Sequence, residues 1–381
     1  MIRVLQVIGA MDRAGAETMI MNYYRNMDRT QIQFDFLVHT EHRCDYDDEI
    51  ESLGGNIYHI PHYTGLNHFL YQRACKQFFE SHPEISLVHG HIGSGAAVYL
   101  SEAKKAGLYT IAHAHSENFY TGLNKVAFSL VTKPIKNKAD SFFACSAKAC
   151  FDTFGKQVFQ NKDYLVINNA IDVERYQRAL TYRGTYRDRL GLTNKPTLGH
   201  IGRFIEVKNQ IFLIEVFSNI VRHIPEAQLL LIGDGPLKKT LEKRIQDLNL
   251  LHNVHILGKR EDIPELLAAM DLFVFPSLKE GLPVSVIEAQ ASGLPMLLSD
   301  GITAEAAVLP TCKRLPLSIG SENWSKEALS LLADTPNRKN AFTLLNGAGF
   351  DITQNAHQLA AFYEKHARKA SQTIVCGLKH N

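Results

Sequence analysis

Short apolar runs alternate with amphipathic segments along most of the chain. Runs rich in β-branched and aromatic residues, such as 3–8 and 271–276, predict strands buried on both faces of a parallel sheet. Segments with apolar residues at helical spacing lie between them, as at 16–27 and 66–81. Because strands that alternate with helices are typical of parallel βαβ units, the pattern predicts an α/β protein.

The predicted elements form two successive groups with an irregular, polar stretch at 172–196 between them. The predicted strands are 3–8, 34–39, 57–60, 87–91, 110–115, 141–145 and 165–168, then 197–201, 228–232, 254–257, 271–276 and 295–299. Helices are predicted at 16–27, 66–81, 94–106, 123–132, 284–292 and 352–366, and from Asn209, Pro236 and Ile263 onward. We therefore expect domains at 1–170 and 171–350, a last helix at 351–369 and a tail at 370–381.

Composition and charge narrow the class of protein. The 381 residues suffice for two packed cores, and 41 Lys and Arg nearly balance 39 Asp and Glu, which argues against a dedicated nucleic-acid binder. Six scattered cysteines without metal-ligand spacing predict reduced thiols in a cytoplasm. The first apolar run is short and charged residues follow it closely, which argues against a signal peptide. No window reaches the ~20 apolar residues that span a bilayer. We expect a cytoplasmic protein, free or peripheral on the membrane.

The stretch 271–299 predicts a strand, an acidic loop, a helix and a second strand, joined by short connections. Pro276 ends the strand, Pro283 opens the helix and Gly293 ends it. In such a unit the helix begins at the carboxyl end of the strand, where α/β sheets bind anionic ligands. Glu280 in the loop and Glu288 in the helix then share one crevice, and carboxylates accept hydrogen bonds from vicinal hydroxyls. Two glutamates beside an anion site therefore predict a nucleotide sugar as ligand.

Glu280 and Glu288, with seven residues between them and Pro-Ser-Leu-Lys-Glu-Gly-Leu-Pro at 276–283, closely resemble the signature of the retaining glycosyltransferases of family 4. The resemblance implies the GT-B fold, in which two Rossmann-like domains face each other across a cleft. It implies that Glu280 orients the donor sugar and that Glu288 holds the nucleoside ribose. The loop residues implied to contact the donor are Gly281, Leu282 and Pro283.

The second domain also offers groups that hold anions. Gly202 and Arg203 end its first strand and Lys208 precedes the next helix, so two cations and a helix N-terminus converge on one sheet edge. These positions are similar to those that hold the donor diphosphate in the family and neutralise the leaving group. Gly258, at the end of the strand 254–257, matches a position where backbone atoms meet the nucleobase.

In the first domain, Gly15 lies in the turn after the first strand, where the resemblance implies contact with the diphosphate and acceptor. Histidines cluster at two strand ends, and two imidazoles on one strand point the same way, a pattern also found in metal sites. No carboxylate or cysteine with ligand spacing accompanies them, and we predict no metal. The resemblance places His115 against the 6-hydroxyl of the donor sugar, with His113 as the alternative.

The resemblance implies transfer of a sugar from a nucleoside diphosphate donor, most often UDP, to an acceptor hydroxyl with retention. The leaving phosphate takes the acceptor proton, so neither a covalent nucleophile nor a cofactor is expected. Residues 300–305 look like subfamilies that build capsules and exopolysaccharides, and the acceptor would be a glycan or a polyprenyl-linked sugar. The last helix is similar to the family helix that crosses back to the first domain. A nucleotide-sugar epimerase and a non-catalytic nucleotide-sugar-binding protein remain alternatives. The sequence argues against a dehydrogenase, because this chain lacks the glycine fingerprint of that class.

Residues 123–138 combine an apolar stripe with Lys125, Lys133, Lys136 and Lys138. Such a segment is typical either of a helix lying on an anionic membrane surface or of a packed helix followed by a solvated basic turn. We predict weak, salt-sensitive binding to anionic lipid.

Overall fold

The computed structural model describes residues 1–91, 93–115, 133–161, 164–334 and 338–377. The chain divides into two compact units, each built around one parallel sheet. The first unit contains Met1–Asn168 together with Ile352–Asn381, and the second contains Asn169–Asp351. The end of the chain thus belongs to the unit in which the chain begins.

The first unit has a seven-stranded parallel sheet in the order β3-β2-β1-β4-β5-β6-β7. Its strands, β1 to β7, are Ile2–Ile8, Ile32–Val38, Ile57–His59, Ile85–His91, Tyr109–Ala114, Ser141–Ala144 and Tyr164–Val166. Its helices α1 to α6 are Gly15–Asn26, Asp47–Ser52, His68–Ser81, Ala96–Lys105, Ala147–Phe154 and Lys156–Asn161. All seven strands coincide with predicted apolar runs, which confirms that part of the pattern.

The second unit repeats the architecture with a six-stranded parallel sheet in the order β10-β9-β8-β11-β12-β13. Its strands, β8 to β13, are Thr197–Ile201, Gln228–Ile232, Val254–Gly258, Leu272–Phe275, Met296–Ser299 and Cys312–Leu315. Its helices α7 to α14 are Val173–Ala179, Arg183–Arg189, Gln210–Val221, Lys238–Asp247, Ile263–Ala269, Val284–Ala291, Gly320–Ala333 and Ala341–Gly347. In each sheet the later strands are added on the other side of the first strand, so the strand order reverses there. This switch point lies between β1 and β4 in the first sheet and between β8 and β11 in the second.

Side-chain alternation explains why the central strand β11 is apolar throughout. Leu272 and Val274 pack into the core on one face of the sheet, and Phe273 and Phe275 pack into the core on the other. All four side chains have no solvent exposure. A strand covered by helices on both faces has no polar face to present, and this is why its sequence lacks alternation.

The prediction of an irregular chain at 172–196 is wrong, because α7 and α8 lie there. The Asp172 side chain accepts the Arg175 amide at 2.9 Å and so caps α7. In α8, Arg183 and Arg187 form ion pairs with Asp271 at 2.5 and 3.2 Å and also bond carbonyls at the end of α11. The polar residues that suggested a loop therefore satisfy buried backbone groups.

The last helix, α15, spans Ile352–Gly377 and continues beyond Lys369, where the pattern placed its end. It packs against α1 and β4 of the first unit. The predicted helix at 123–132 lies outside the described residues. Lys133–Asn137 forms a short 3₁₀ helix anchored by the fully buried Ile135. None of the helices that the structure describes is long and apolar enough to cross a membrane.

Candidate functional site

A lysine and a glutamate meet at the switch point of the second sheet. Lys208 follows β8 and Glu280 follows β11, and these two strands are neighbours although they are far apart in sequence. The Lys208 Nζ atom lies 2.6 Å from Glu280 Oε1, and the two side chains keep 17% and 19% of their exposure. Ligands of open α/β sheets bind at the carboxyl ends of the strands beside this reversal. The structure thus brings two of the predicted catalytic residues into direct contact.

Three further residues position the lysine. Its aliphatic carbons pass over Gly202, where a Cβ would lie 3.5 Å from them, and its Nζ lies 4.9 Å from the centre of the Phe275 ring. His200 lies next to Gly202, and its Nδ1 bonds the Val274 carbonyl at 3.0 Å. Burial lowers the pKa of His200 to about 4. A neutral imidazole and an aromatic face therefore surround the lysine on the protein side, so its charge is directed to Glu280 and solvent.

The loop that carries Glu280 is held by its backbone. The Leu278 amide donates to the Val207 carbonyl at 2.8 Å, and the Glu280 amide donates to the Gly301 carbonyl at 3.1 Å. A Cβ on Gly301 would lie 2.2 Å from the Leu278 carbonyl oxygen, so only glycine allows this approach. The loops after β8, β11 and β12 form one bonded layer, which fixes the position of the carboxylate.

Arg203 differs from Lys208 because its side chain is exposed and has no hydrogen bond or ion pair within the described part of the chain. Its own carbonyl accepts the Gln210 side chain at 3.0 Å. Gly233, with a φ of 139°, packs its Cα against the Gly202 carbonyl, where a Cβ would come within 2.1 Å. The backbone after β8 is therefore fixed, while the guanidinium remains available to an anion.

The other predicted donor residues already have protein partners. Glu288 Oε1 accepts the Tyr176 hydroxyl at 2.7 Å. Gly281, Leu282 and Pro283 are buried, and the Leu282 carbonyl accepts the Asn169 side chain. Gly258 ends β10 with a φ of 69°, and its carbonyl accepts the Gly233 amide at 2.9 Å. Contact of these residues with a ligand stays a prediction.

In the first unit, four histidines from β4 and β5 form one connected group, here called the histidine cluster: His89, His91, His113 and His115. His89 bonds His113 at 3.0 Å and the Tyr363 hydroxyl of α15 at 2.6 Å. His91 bonds His115 at 2.6 Å, and its other nitrogen lies 2.8 Å from Gln6 Oε1. The rings of His113 and His115 stack 4.1 Å apart, so the two lie on one side of the strand.

Burial determines the chemistry of the histidine cluster. It lowers the pKa of His89 to about 3 and that of His115 to about 4, and it holds the pKa values of His91 and His113 well below the ordinary range. All four imidazoles are therefore neutral at pH 7. Since an amide oxygen only accepts, His91 donates to Gln6 through Nε2 and accepts from His115 through Nδ1. Neutral imidazoles can bond a hydroxyl, but they cannot neutralise a phosphate.

His89, His91 and His113 approach one another closely enough to be considered as metal ligands. Their nitrogens are largely occupied, however, by hydrogen bonds within the cluster and to Tyr363 and Gln6. A dication there would be buried without an anionic ligand, which is costly. His113 itself has no solvent exposure, whereas His115 is partly buried.

The roles of Phe275 and His200 could not be predicted from the sequence, because an aromatic residue in a buried strand is indistinguishable from ordinary core. Gly15, the predicted acceptor-side glycine, begins α1, and a Cβ there would meet no atom within 4 Å. Its backbone is open to approach by a ligand, although no steric conflict requires glycine at this position.

Comparison with known proteins identifies the class. Residues 183–340 match the family described as glycosyl transferases group 1, and residues 13–175 match Glycosyltransferase Family 4. The chain is 35% identical over 380 residues to the putative glycosyltransferase EpsF of Bacillus subtilis (strain 168), covering 96% of this chain and 97% of that protein. It is 30% identical over 226 residues to the UDP-Gal:alpha-D-GlcNAc-diphosphoundecaprenol alpha-1,3-galactosyltransferase of Escherichia coli, covering 56% and 57%.

Among solved structures, Anabaena Alr3699/HepE in complex with UDP and glucose superposes with a TM-score of 0.71 at 18% identity, over 100% of both chains. The two Rossmann-like units thus have the GT-B architecture. The chain belongs to the family 4 glycosyltransferases, which confirms the family and the fold class that the motif at 276–288 predicts.

Proposed function

We propose that the second unit binds a nucleoside diphosphate sugar, with UDP sugars as the first candidates, and that the enzyme transfers the sugar to an acceptor hydroxyl with retention. The observation that carries the proposal is the Lys208–Glu280 pair at the switch point, with Arg203 just after the same strand β8 and without an ion pair to any residue that the structure describes. One edge of the sheet thus presents two cations for a diphosphate and one carboxylate for sugar hydroxyls.

In this proposal Arg203 and Lys208 stabilise the charge that develops on the leaving diphosphate, a role that can contribute several kcal/mol. Glu280 accepts hydrogen bonds from the donor sugar, and its ion pair with Lys208 fixes the rotamers of both before the ligand arrives. Glu288 is assigned to the ribose and His115 to the far side of the sugar, both by resemblance to the family. The departing phosphate oxygen takes the acceptor proton, so no covalent nucleophile is assigned.

The acceptor is proposed to be a glycan or polyprenyl-linked sugar in the synthesis of a capsule, exopolysaccharide or other surface glycan. The galactosyltransferase relative supports this, since its name specifies a UDP-sugar donor and a diphosphoundecaprenol-linked acceptor.

A ligand screen followed by product analysis tests the proposal. We expect one class of nucleoside diphosphate sugar to raise the melting temperature, because a ligand at 100 times its Kd adds about 2.7 kcal/mol of stability. Turnover should then require an acceptor, and NMR of the product should show the anomeric configuration of the donor. Turnover of the donor sugar without any acceptor would indicate the epimerase, and binding without turnover would indicate a non-catalytic protein. An inverted product would exclude retention.

We also propose that the first unit docks on an anionic membrane surface. At the start of α3, Leu66, Phe69 and Leu70 are 100%, 83% and 71% exposed, and Arg73 is exposed on the same helix. An apolar patch with a nearby cation is the composition that an anionic bilayer binds.

Co-sedimentation with anionic and zwitterionic vesicles tests the docking. Two sets of variants should each reduce binding: serine at the three apolar positions, and glutamine at Lys133, Lys136 and Lys138. No sedimentation with anionic vesicles at low salt, or binding that ignores both sets, would contradict it.

A further inference from the structure

Three side chains of different metal-binding types lie together in the first unit, away from the histidine cluster. Asp12 lies in the loop after β1, and His42 and Cys44 lie in the loop after β2. Their ligand atoms all fall within 4.8 Å of one another. Carboxylate, imidazole and thiolate are the three side-chain ligands that zinc prefers. We call this group the Asp-His-Cys site.

The separations within the Asp-His-Cys site match the edges of a zinc tetrahedron. His42 Nε2 lies 3.3 Å from Asp12 Oδ2 and 3.7 Å from Cys44 Sγ. A tetrahedral zinc ion, with its ordinary bond lengths to N, O and S, holds N and O roughly 3.3 Å apart and N and S roughly 3.6 Å apart. Two of the three separations therefore already suit a tetrahedral zinc ion, and the third, between Asp12 and Cys44, is no more than 4.8 Å.

The surroundings of the ligands resemble the outer contacts of a metal site. His42 is bonded through Nδ1 to the Thr40 hydroxyl, which leaves Nε2 for the ion. Asp12 accepts the Asp45 amide at 3.3 Å through Oδ1, which leaves Oδ2 facing His42. His42 and Asp12 thus each have one polar side-chain atom held by the protein and another aimed at the common centre, where the Cys44 sulfur also lies.

The loops that carry the ligands are tied together by the backbone. The Tyr46 amide donates to the Met11 carbonyl at 3.1 Å, and the Arg13 amide donates to Asp45 at 3.0 Å. The ligands therefore converge before an ion arrives, which lowers the ordering cost of binding. The ligands differ in solvent exposure. Cys44 is only 6% exposed, whereas the His42 and Asp12 side chains are 59% and 46% exposed. The open side leaves room for a fourth ligand.

We propose that Asp12, His42 and Cys44 bind one zinc ion, with water or a small ligand at the fourth position. On binding, the Cys44 thiol loses its proton to solvent and the sulfur–zinc bond forms, with no change in oxidation state. The ion links the loop after β1 to the loop after β2. Residues 40–44 and Asp12 were not recognised as a site in the sequence because the carboxylate lies 30 residues from the imidazole.

Cobalt substitution of the full-length chain tests the proposal. After removal of metal with a chelator, titration with Co²⁺ should give one tetrahedral site per chain and a thiolate-to-cobalt charge-transfer absorption. Zn²⁺ should displace the cobalt, and competition with a colorimetric chelator gives its affinity. Cys44→Ser should abolish the charge-transfer band, and His42→Gln should weaken zinc binding at least 10-fold.

Asp12→Asn keeps the shape of its side chain, so it should weaken zinc binding 10-fold or more without altering the circular dichroism of the metal-free protein. The matched controls are Cys312→Ser and His68→Gln, a thiol and an exposed imidazole outside the site. These should bind zinc as the parent does. Absence of stoichiometric binding, a cobalt spectrum without the thiolate band, or binding that ignores the three site substitutions would overturn the proposal.

Discussion

Both units place polar residues at the carboxyl ends of central strands, but the electrostatic character of these residues differs between the units. At the carboxyl edge of the second sheet, Lys208, Glu280 and Arg203 are charged and partly accessible. At the corresponding edge of the first sheet, the histidine cluster is neutral and largely buried, with Tyr363 of the last helix bonded to it. The same fold thus provides one edge suited to a charged ligand and, in the histidine cluster, a group of side chains suited only to neutral hydrogen bonding.

This difference shows that strand order locates a site without determining its chemistry. The switch point brings side chains from sequence-distant strands together in both units: Lys208 meets Glu280 in the second, and Gln6 of β1 meets His91 of β4 in the first. Whether those side chains keep their charge depends on solvent access, because burial without a counter-ion favours the neutral form. The second unit provides a counter-ion for Lys208, whereas the first unit contains only imidazoles in its cluster.

The largest expected effect concerns acid. The unfolded chain binds protons on histidine below about pH 6.5, whereas the folded histidine cluster resists protonation down to pH 4 or lower. Stability present above pH 6.5 is therefore lost as the pH falls, by about 1.4 kcal/mol per pH unit for each such histidine. The second unit has one comparable residue, His200. Burial also lowers the pKa of His39 in the first unit and His255 in the second.

We therefore expect the first unit to unfold before the second between pH 6.5 and 5. Hydrogen exchange of peptides from β4 and β8, corrected for the intrinsic rate at each pH, measures this. Equal loss of protection in both peptides would contradict the comparison.

The second largest effect is expected from Glu280→Gln, on the rate of sugar transfer. This change removes a charged hydroxyl acceptor and leaves Lys208 without its counter-ion, so we expect kcat for sugar transfer to fall about 100-fold or more. Loss of the ion pair should cost about 1 kcal/mol of stability or somewhat more, which thermal unfolding would detect. Glu226→Gln, an exposed glutamate before β9, is the matched control. Activity within about two-fold of the parent would make Glu280 a bystander.

Arg203→Ala and Lys208→Ala should weaken binding of the nucleoside diphosphate about 10- to 100-fold and leave nucleoside binding nearly unchanged. The reason is that both cations are assigned to the phosphates alone. Calorimetry with UDP and uridine, or with the pair that the ligand screen selects, provides the measurement. Arg222→Ala, at the exposed end of α9, serves as the control. Equal losses for the two ligands would mean that the residues act through the fold or the base.

The smallest effect is expected from His115→Ala. If the neutral edge contributes one hydrogen bond to the sugar, transfer should fall about 10-fold while UDP affinity stays unchanged. Steady-state kinetics and calorimetry on the same preparation separate the two quantities. A parallel loss of UDP affinity would show that the histidine cluster acts on the charged edge as well, and the contrast between the edges would fail.

Much of this could be predicted from the sequence because the information is local. Hydrophobic period, proline and glycine positions located every strand except β13, including all four residues of β11, and the motif at 276–288 identified the family. Gly202, Arg203, Lys208 and Glu280 were recognised because glycines, cations and acids at strand ends have few structural uses. The 172–196 region was mistaken because its arginines bind Asp271 and carbonyls about 80 residues away in the sequence.

Only the tertiary structure decided which of these side chains meet and which keep their charge. Lys208 touches Glu280 because β8 and β11 are neighbours in the sheet, which no local pattern encodes. His89 is neutral because it is buried, and α15 brings Tyr363 into contact with it from 274 residues away in the sequence. Asp12 meets His42 because two loops converge at one edge. Local periodicity determines the backbone, whereas proximity and solvent access, which determine ion pairing and pKa, exist only once the sheets have assembled.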